Sequence, residues 1–231
     1  MKVEIHSHTD LYSPCSRIPP KELVCMAETS GYDVLFITDH NKVWPRRDLA
    51  ALQELCERTR ILPGIEISLP DRRDMLVLGA DDPEYEHLRT ADEVLAKACA
   101  DGLLTVVAHP FRYHTSLPAY CALADALEIR TCNHSRPEAV SLAESYAESQ
   151  NLAPVYSSDA HGLNFLNKFW IETHEDFFTA QEFRRLVVSG RYANRTRPFD
   201  MALPPAYKVA SMDDLTEADL ITLSVESESL K

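Results

Sequence analysis

Histidines and carboxylates recur at the ends of short apolar segments along this chain of 231 residues. The chain begins MKVEIHSHTD, in which His6 and His8 lie two positions apart and therefore on one face of an extended strand. Apolar segments run into polar residues in the same way in FITDH, GIEIS, VVAHP, RTCNH and SSDAH. Imidazole and carboxylate groups together are ligands that suit transition-metal ions. The pattern therefore predicts a site for divalent cations.

The segments that carry these residues alternate with helical patterns. Strands are predicted over residues 2–8, 33–40, 61–68, 74–80, 103–109, 126–133, 154–159 and 168–172. Helices are predicted over residues 20–29, 48–60, 90–101, 117–124, 136–150 and 179–189. Such alternation indicates a parallel sheet covered by helices. The number of units favours a closed barrel, with an open doubly wound sheet as the alternative, and neither a GxGxxG nor a Walker A motif occurs.

Parallel strands bring their carboxyl ends to one edge of a sheet, where α/β proteins place their chemistry. Six of the nine histidines lie at predicted strand ends. A single histidine there could equally be a satisfied polar residue or a cap, and a single carboxylate could be half of an ion pair. Together, however, these histidines and carboxylates would place several buried charges close to one another, at a cost of roughly several kcal/mol for each unpaired group. Bound cations remove that cost, so the complete set favours a metal centre.

Composition excludes several classes of protein. The formal net charge is −13, which disfavours a surface built to bind a nucleic-acid backbone, so no stable nucleic-acid complex is expected. The longest apolar run, residues 103–108, is too short to span a membrane, and no secretion signal is seen. The six cysteines form no CxxC pair, which is typical of reduced thiols in a cytoplasmic protein.

The motifs HSHTD, FITDHN, GIEIS, AHPFRY, NHSR and SSDAHG, in this order, resemble those of the PHP (polymerase and histidinol phosphatase) superfamily. The resemblance covers about residues 1–200, and residues 201–231 form an acidic C-terminal tail outside it. It implies an α/β fold, a distorted TIM-like (β/α)7 barrel. It also implies two or three divalent ions, Zn, Mn or Fe, and hydrolysis of phosphoesters.

The resemblance further implies three neighbouring metal positions. The first would be held by His6, His8, Glu66 and Asp159. The second would share Glu66 and add His109 and His134. The third would use His40 and His161 with a ligand from the loop after the first strand. That loop reads SPCS, so Cys15, Asp10 or a water molecule is left to complete the third position.

A water molecule shared by two such ions is acidified toward a pKa of about 7, and the resulting hydroxide is the expected nucleophile. The residues expected to take part in catalysis are Glu66, Asp159 and His161. Arg112 and Arg17, in loops above the predicted rim, are candidates to bind phosphate. Asp39 and Asn41 are expected to orient ligand histidines.

The function indicated is metal-dependent hydrolysis of a small phosphorylated metabolite or nucleotide. Two alternatives remain open from the residues alone. Metal-activated water attacks a carbonyl equally well, so the protein could be an amidohydrolase-like C–N or acyl hydrolase. It could also be a non-catalytic scaffold that metal ions stabilise.

Overall fold

The computed structural model describes residues 1–132 and 137–197. The described strands are β1 (Lys2–Glu4), β2 (Val34–Ile37), β3 (Arg60–Ser68), β4 (Asp74–Leu78), β5 (Leu104–Ala108), β6 (Ala126–Arg130), β7 (Ala153–Tyr156), β8 (Phe169–Thr173) and β9 (Tyr192–Thr196). The described α-helices are α1 (Pro20–Thr29), α2 (Arg46–Gln53), α3 (Ala91–Asp101), α4 (Pro137–Gln150) and α5 (Ala180–Val188). Short 3-10 helices cover Pro83–His87, Ala119–Leu123 and Leu163–Phe165. The predicted acidic tail, residues 201–231, lies outside the described residues.

These strands form one sheet in the order β7-β6-β5-β4-β3-β2-β1-β8-β9. β1, β2 and β3 are parallel, as are β5, β6 and β7, whereas β4, β8 and β9 pair antiparallel with their neighbours. β4 is antiparallel because it follows β3 through a short loop, which cannot provide the long crossover that a parallel pair needs. The sheet is therefore mixed, with a parallel strand group on each side of β4.

The two ends of the sheet approach each other and nearly close it into a barrel. Asn194 of β9 reaches across to β7, where its Nδ2 donates to Pro154 O at 2.7 Å and its Oδ1 accepts from Tyr156 N at 2.9 Å. Closure on this side thus uses side-chain hydrogen bonds between the two end strands. The prediction of a distorted α/β barrel is confirmed, and the open doubly wound alternative is not observed.

The barrel has an apolar interior and an apolar outer layer, and β2 shows why. Val34 and Phe36 pack in the cluster inside the barrel, whereas Leu35 and Ile37 pack against the cluster formed with α1 and α2. Alternate residues of a strand face opposite sides, so a strand buried on both faces has a continuous apolar sequence. Phe183 of α5 joins the interior cluster, which lies beneath the polar residues at the carboxyl ends of the parallel strands.

Two predicted helices differ in extent or type, and one strand was not predicted. The helix predicted over residues 48–60 ends at Gln53, whose side chain accepts from Ile61 N at 2.8 Å and so joins the helix end to the start of β3. The segment predicted as a helix over residues 117–124 contains a 3-10 turn, and β9 was not predicted. None of the described helices combines the length and the apolar character that a bilayer crossing requires.

Candidate metal centre

The ends of β1 and β7 hold four of the predicted ligands side by side. His8 N donates to Ala160 O at 3.1 Å, and Ala160 N donates to His6 O at 3.3 Å. These bonds form an isolated parallel bridge between the segments that follow the two strands, and they bring the HSH segment beside Asp159 and His161. His6 and His8 therefore point to the same side, as their spacing predicted, with their Nε2 atoms 3.0 Å apart.

Two buried carboxylates face these imidazoles. His6 Nε2 lies 3.3 Å from both Glu66 Oε2 and Asp159 Oδ1. His8 Nε2 lies 3.1 Å from Glu66 Oε2 and 3.4 Å from Asp159 Oδ1. His109 Nε2 lies 3.1 Å from Glu66 Oε1. Glu66 is thus in contact with each of these three histidines, which is the arrangement that a ligand shared between ions requires.

His40 and His161 lie next to this group. His40 Nδ1 is 3.2 Å from Glu66 Oε2, and His161 Nδ1 is 3.4 Å from Asp159 Oδ1. The ring of His8 lies between them, 4.7 Å from the ring of His40 and 4.4 Å from that of His161. The structure therefore brings together seven of the eight predicted ligands, and the eighth, His134, lies outside the described residues.

The geometry of these residues fits divalent cations. Glu66 Oε2 and His40 Nδ1 are buried and make no well-formed hydrogen bond within residues 1–132 and 137–197, although they face each other. A buried polar atom without a hydrogen bond costs about 1–3 kcal/mol. A cation between the two groups would satisfy both atoms. The donor set of imidazoles and carboxylates suits Zn, Mn or Fe.

The electrostatics of this centre favour positive charge. Burial disfavours the charged form of His6, but Asp159, Glu128 and Glu66 outweigh it and raise the pKa of His6 well above its ordinary value. Burial likewise opposes ionisation of Glu66, yet His40 and His6 keep the pKa of its carboxyl well below the usual range. A metal ion that binds here must therefore displace protons from the imidazoles.

Backbone conformation at the strand ends contributes to this placement. His109, after β5, has φ 27°, and Asp159, after β7, has φ 47°. Neither residue is a glycine, so each adopts a conformation that costs on the order of 1–3 kcal/mol and is concentrated at functional sites. The surrounding hydrogen bonds must offset this strain to keep both side chains directed into the barrel mouth.

Asp39 lies behind the histidines and accepts four hydrogen bonds. The donors are Thr9 N at 2.7 Å, Thr9 Oγ1 at 2.6 Å, Ser13 Oγ at 2.6 Å and Trp44 Nε1 at 2.8 Å. Ser13 Oγ in turn lies 3.3 Å from His8 Nδ1, so Asp39 reaches a predicted ligand through one hydroxyl. Its predicted orienting role remains a prediction.

Asn41 is joined to β3 by two hydrogen bonds, and its expected role of orienting a ligand histidine stays a prediction. Its backbone N donates to Glu66 O at 2.8 Å, and its Oδ1 accepts from Ser68 N at 3.0 Å. Asn41 has φ 52°, a conformation that asparagine tolerates better than most residues. It therefore holds the backbone on either side of Ile67, next to Glu66.

The two predicted phosphate-binding arginines have different surroundings. Arg112 lies at the mouth of the barrel, with Nη1 3.8 Å from Asp159 Oδ2 and its guanidinium 5.1 Å from the centre of the Tyr113 ring. Arg17 is exposed, and its backbone N donates to His161 O at 3.0 Å. Arg112 is thus the arginine whose charge lies beside the metal-binding carboxylates.

The spacing of the donor atoms bears on the third metal position, for which the sequence left Cys15, Asp10 or a water molecule as the remaining ligand. The groups of described residues whose donor atoms all lie within 4.8 Å of one another include His8 with His40 and His161, but they include neither Cys15 nor Asp10. Burial, followed by the charges of Glu66 and Asp159, raises the pKa of the Cys15 thiol to about 12. The thiolate is the form that binds metal, so a cation at Cys15 would have to displace the thiol proton.

Two further carboxylates near the centre were not predicted from the sequence. Glu128 Oε1 lies 2.8 Å from His6 Nδ1, and Asp74 Oδ2 lies 4.0 Å from His109 Nε2. Glu128 interrupts the apolar segment ALEIR. A charged residue inside a buried strand is unusual, and this feature of the sequence could have identified Glu128 as part of the site. Asp74 begins β4, but its proximity to the site depends on the hairpin register and had no local signal.

Comparison with known proteins supports the resemblance seen in the motifs. A family model described as PHP-associated matches residues 137–192. No curated protein matches the sequence. The fold is similar to that of a two-domain protein from Bacteroides vulgatus that contains a predicted PHP-like metal-dependent phosphoesterase. The TM-score is 0.68 at 16% identity, over 85% of this chain and 64% of that one.

Two other solved structures are similar. An amidohydrolase from Chromobacterium violaceum, with bound sulfate and no metal, matches with a TM-score of 0.57 at 14% identity, over 87% of this chain and 99% of that one. Endonuclease Q, in complex with a 27-mer duplex that carries an abasic lesion, matches with a TM-score of 0.57 at 15% identity, over 96% of this chain and 66% of that one. This chain spans about two thirds of the length of the Bacteroides protein and of endonuclease Q. The predicted resemblance to PHP proteins is confirmed, and the fold is of the PHP type.

Proposed function

We propose that this protein is a metal-dependent phosphoesterase that acts on a small phosphorylated metabolite or nucleotide. The observation that carries the proposal is the buried group of imidazoles and carboxylates around Glu66, with the charge of Arg112 at its mouth. Two or three ions of Zn, Mn or Fe would be held by the predicted ligands His6, His8, His40, Glu66, His109, His134, Asp159 and His161. When bound, such ions screen the charge of a phosphate and acidify a water molecule.

Arg112 is the residue proposed to bind the phosphate. Its side chain is 21% exposed, so it can be reached from solvent while it stays beside Asp159. A guanidinium can donate two parallel hydrogen bonds to a phosphate, which gives orientation as well as attraction. Packing of Arg112 over the ring of Tyr113 restricts the side chain and lowers the entropy lost when substrate binds.

His161 is proposed to act as a neutral imidazole. Burial, only partly opposed by Asp159, lowers the pKa of His161 to about 3. Its Nδ1 lies 3.0 Å from Asp159 O, and a carbonyl oxygen only accepts, so Nδ1 carries the proton of the neutral ring. The lone pair is then on Nε2. His161 is therefore suited to ligate a cation or accept a proton at Nε2, and it does not hold a proton there to donate to a leaving group.

Proteins of similar fold include an amidohydrolase and a nuclease that binds duplex DNA. The arginine charge at the mouth favours a phosphate over a neutral amide, because a guanidinium attracts an anion more strongly than it attracts an uncharged group. The net charge of −13 opposes extended contact with a nucleic-acid backbone. We therefore propose a small phosphorylated substrate and no stable nucleic-acid complex.

A substrate panel tests the proposal. The purified protein, loaded separately with Mn²⁺ or Zn²⁺, would be assayed on an aryl phosphate, phosphomonoesters, phosphodiesters and an aryl amide. We expect phosphoester hydrolysis that a chelator removes. His8→Ala and Asp159→Ala should abolish it while circular dichroism retains most secondary structure. His174→Ala, an exposed histidine at the opposite end of the barrel, is the matched control and should keep full activity. Hydrolysis of the amide alone, or activity retained by the first two variants, would contradict the proposal.

A further inference from the structure

Asp74 is a carboxylate at the rim that the predicted ligand set does not use. It is the first residue of β4 and lies opposite Ser68 of β3, while Glu66 lies opposite Leu76. Residues two apart on a strand share a face, and directly paired residues of an antiparallel hairpin share a face. Asp74 and Glu66 therefore leave the hairpin on the same side, toward the barrel mouth.

The donor atoms around Asp74 form a compact set. One donor atom each from His40, Glu66 and Asp74 lie within 4.8 Å of one another. Glu66 Oε2, whose side chain is 1% exposed, makes no well-formed hydrogen bond among the described residues, and neither does His40 Nδ1 at 3.2 Å from it. A buried carboxylate oxygen and an imidazole nitrogen thus face the side of the rim on which Asp74 lies.

Among the described residues, the groups of close donor atoms contain none of residues 9–19, the part of the loop after β1 from which the third metal position was expected to take a ligand. Ser13 Oγ donates to Asp39 at 2.6 Å, and Ser16 Oγ donates to His8 O at 2.9 Å. These bonds fix the SPCS segment as a support for the histidines. Cys15 joins no group of donor atoms within 4.8 Å in the described part of the chain.

We propose that Asp74 is a metal ligand, which binds a cation together with His40 and Glu66 in place of a residue from the loop after β1. This inference rests on the metal centre of the proposed function and identifies the ligand that completes it. One imidazole with two carboxylates is a harder donor set than one that contains a thiolate. It therefore favours Mn²⁺ or Fe²⁺ at this position.

Counting bound ions tests the role of Asp74 without an activity assay. Wild type, Asp74→Asn and Cys15→Ala would be dialysed against the same free Mn²⁺ concentration, and the bound metal measured by elemental analysis. Asp74→Asn keeps the shape of the side chain and should bind one Mn²⁺ fewer per chain. Cys15→Ala should bind as many ions as wild type. An unchanged count in Asp74→Asn, or an ion lost in Cys15→Ala, would overturn the proposal.

A spectroscopic measurement on a second variant distinguishes the loss of a metal ligand from a loss of metal that misfolding causes. In the Cys15→Ala background, Asp74→Cys places a thiol at the proposed ligand position. With Co²⁺ this double variant should show thiolate-to-cobalt charge-transfer absorption, and wild type should not. A double variant that binds Co²⁺ without the band, or a band in wild type that Cys15→Ala removes, would refute the assignment. Neither readout needs turnover, so ion counts that match expectation in a protein without phosphoesterase activity would refute only the proposed function.

Discussion

Replacing Glu128 with glutamine should weaken metal binding by about 10- to 100-fold, the usual effect of losing a carboxylate that orients a ligand histidine. Glu128 Oε1 lies 2.8 Å from His6 Nδ1, and both side chains are fully buried. An ionised carboxylate only accepts hydrogen bonds, so Nδ1 is the donor. The lone pair of His6 is then on Nε2, the atom that faces Glu66 and Asp159.

The same substitution should also lower the free energy of unfolding by about 1–3 kcal/mol. Glu128 accepts hydrogen bonds from three donors, which are His6 Nδ1, His109 N at 2.8 Å and the hydroxyl of Ser157. Glutamine has one acceptor oxygen, so its amide NH₂ must oppose at least one of these donors. The predicted loss of affinity corresponds to about 1.4–2.8 kcal/mol. Because the two effects are similar in size, each needs its own measurement.

Isothermal titration with Mn²⁺ measures the affinity, and urea unfolding with a chelator present measures the stability of the chain itself. Asp125→Asn is the matched control, because Asp125 accepts two hydrogen bonds from Arg184, at 2.7 and 3.0 Å, at the opposite end of the barrel. It should lose stability and keep its affinity for metal. If Glu128→Gln loses stability but binds Mn²⁺ as tightly as wild type, the carboxylate supports only the fold and the reasoning about His6 is refuted.

Three further outcomes are expected. Arg112→Ala should raise KM for a phosphomonoester more than it lowers kcat in steady-state assays; the reverse pattern would give Arg112 a role in the chemical step. Burial lowers the pKa of His8, but the neighbouring carboxylates of Asp159 and Glu66 outweigh it and raise the pKa to about 9. Metal binding at pH 8 should therefore release protons, which titration in buffers of different ionisation enthalpy measures, and no buffer dependence would contradict the assignment. Without metal, the protonated imidazole of His8 stabilises the folded chain fully at pH values below its ordinary pKa of 6.5, and this contribution is lost as the pH rises through about 9. Asn194→Ala removes two of the side-chain hydrogen bonds between β9 and β7 and should lower the free energy of unfolding by about 1–3 kcal/mol; an unchanged urea midpoint would show that closure does not depend on these two bonds.

Local patterns predicted much of the fold. The capped helix α3 follows from Thr90 and Glu93, which form a reciprocal capping box, and from Gly102 at φ 68°, where a left-handed conformation ends the helix. β9 was missed because its sequence, YANRT, is half-exposed and lacks the apolar character of the other strands. It forms a strand because it pairs with the free edge of β8, and the local sequence of residues 192–196 contains no information about that edge.

Local patterns likewise located some residues of the candidate site and missed others. His6 and His8 were placed on one face by their spacing alone, and the predicted strand ends located Glu66, His109 and Asp159. The contribution of Glu128 needed the approach of β1 and β6, which lie far apart in sequence, and that of Asp74 needed the register of the β3–β4 hairpin. Glu128 reaches His6 across 122 positions of the chain. Composition and the two-residue period of a strand do not indicate which residues so far apart in sequence come into contact.

The sequence by itself determined which donor groups the protein has and that they lie at the ends of apolar strands, because side-chain direction along a strand follows a period of two. Only the tertiary structure decided which carboxylate faces which imidazole. Sheet register and the left-handed backbone at His109 and Asp159 set those distances. A cation responds to donor geometry within a few ångströms, so the ligand set is a property of the closed barrel more than of any one motif.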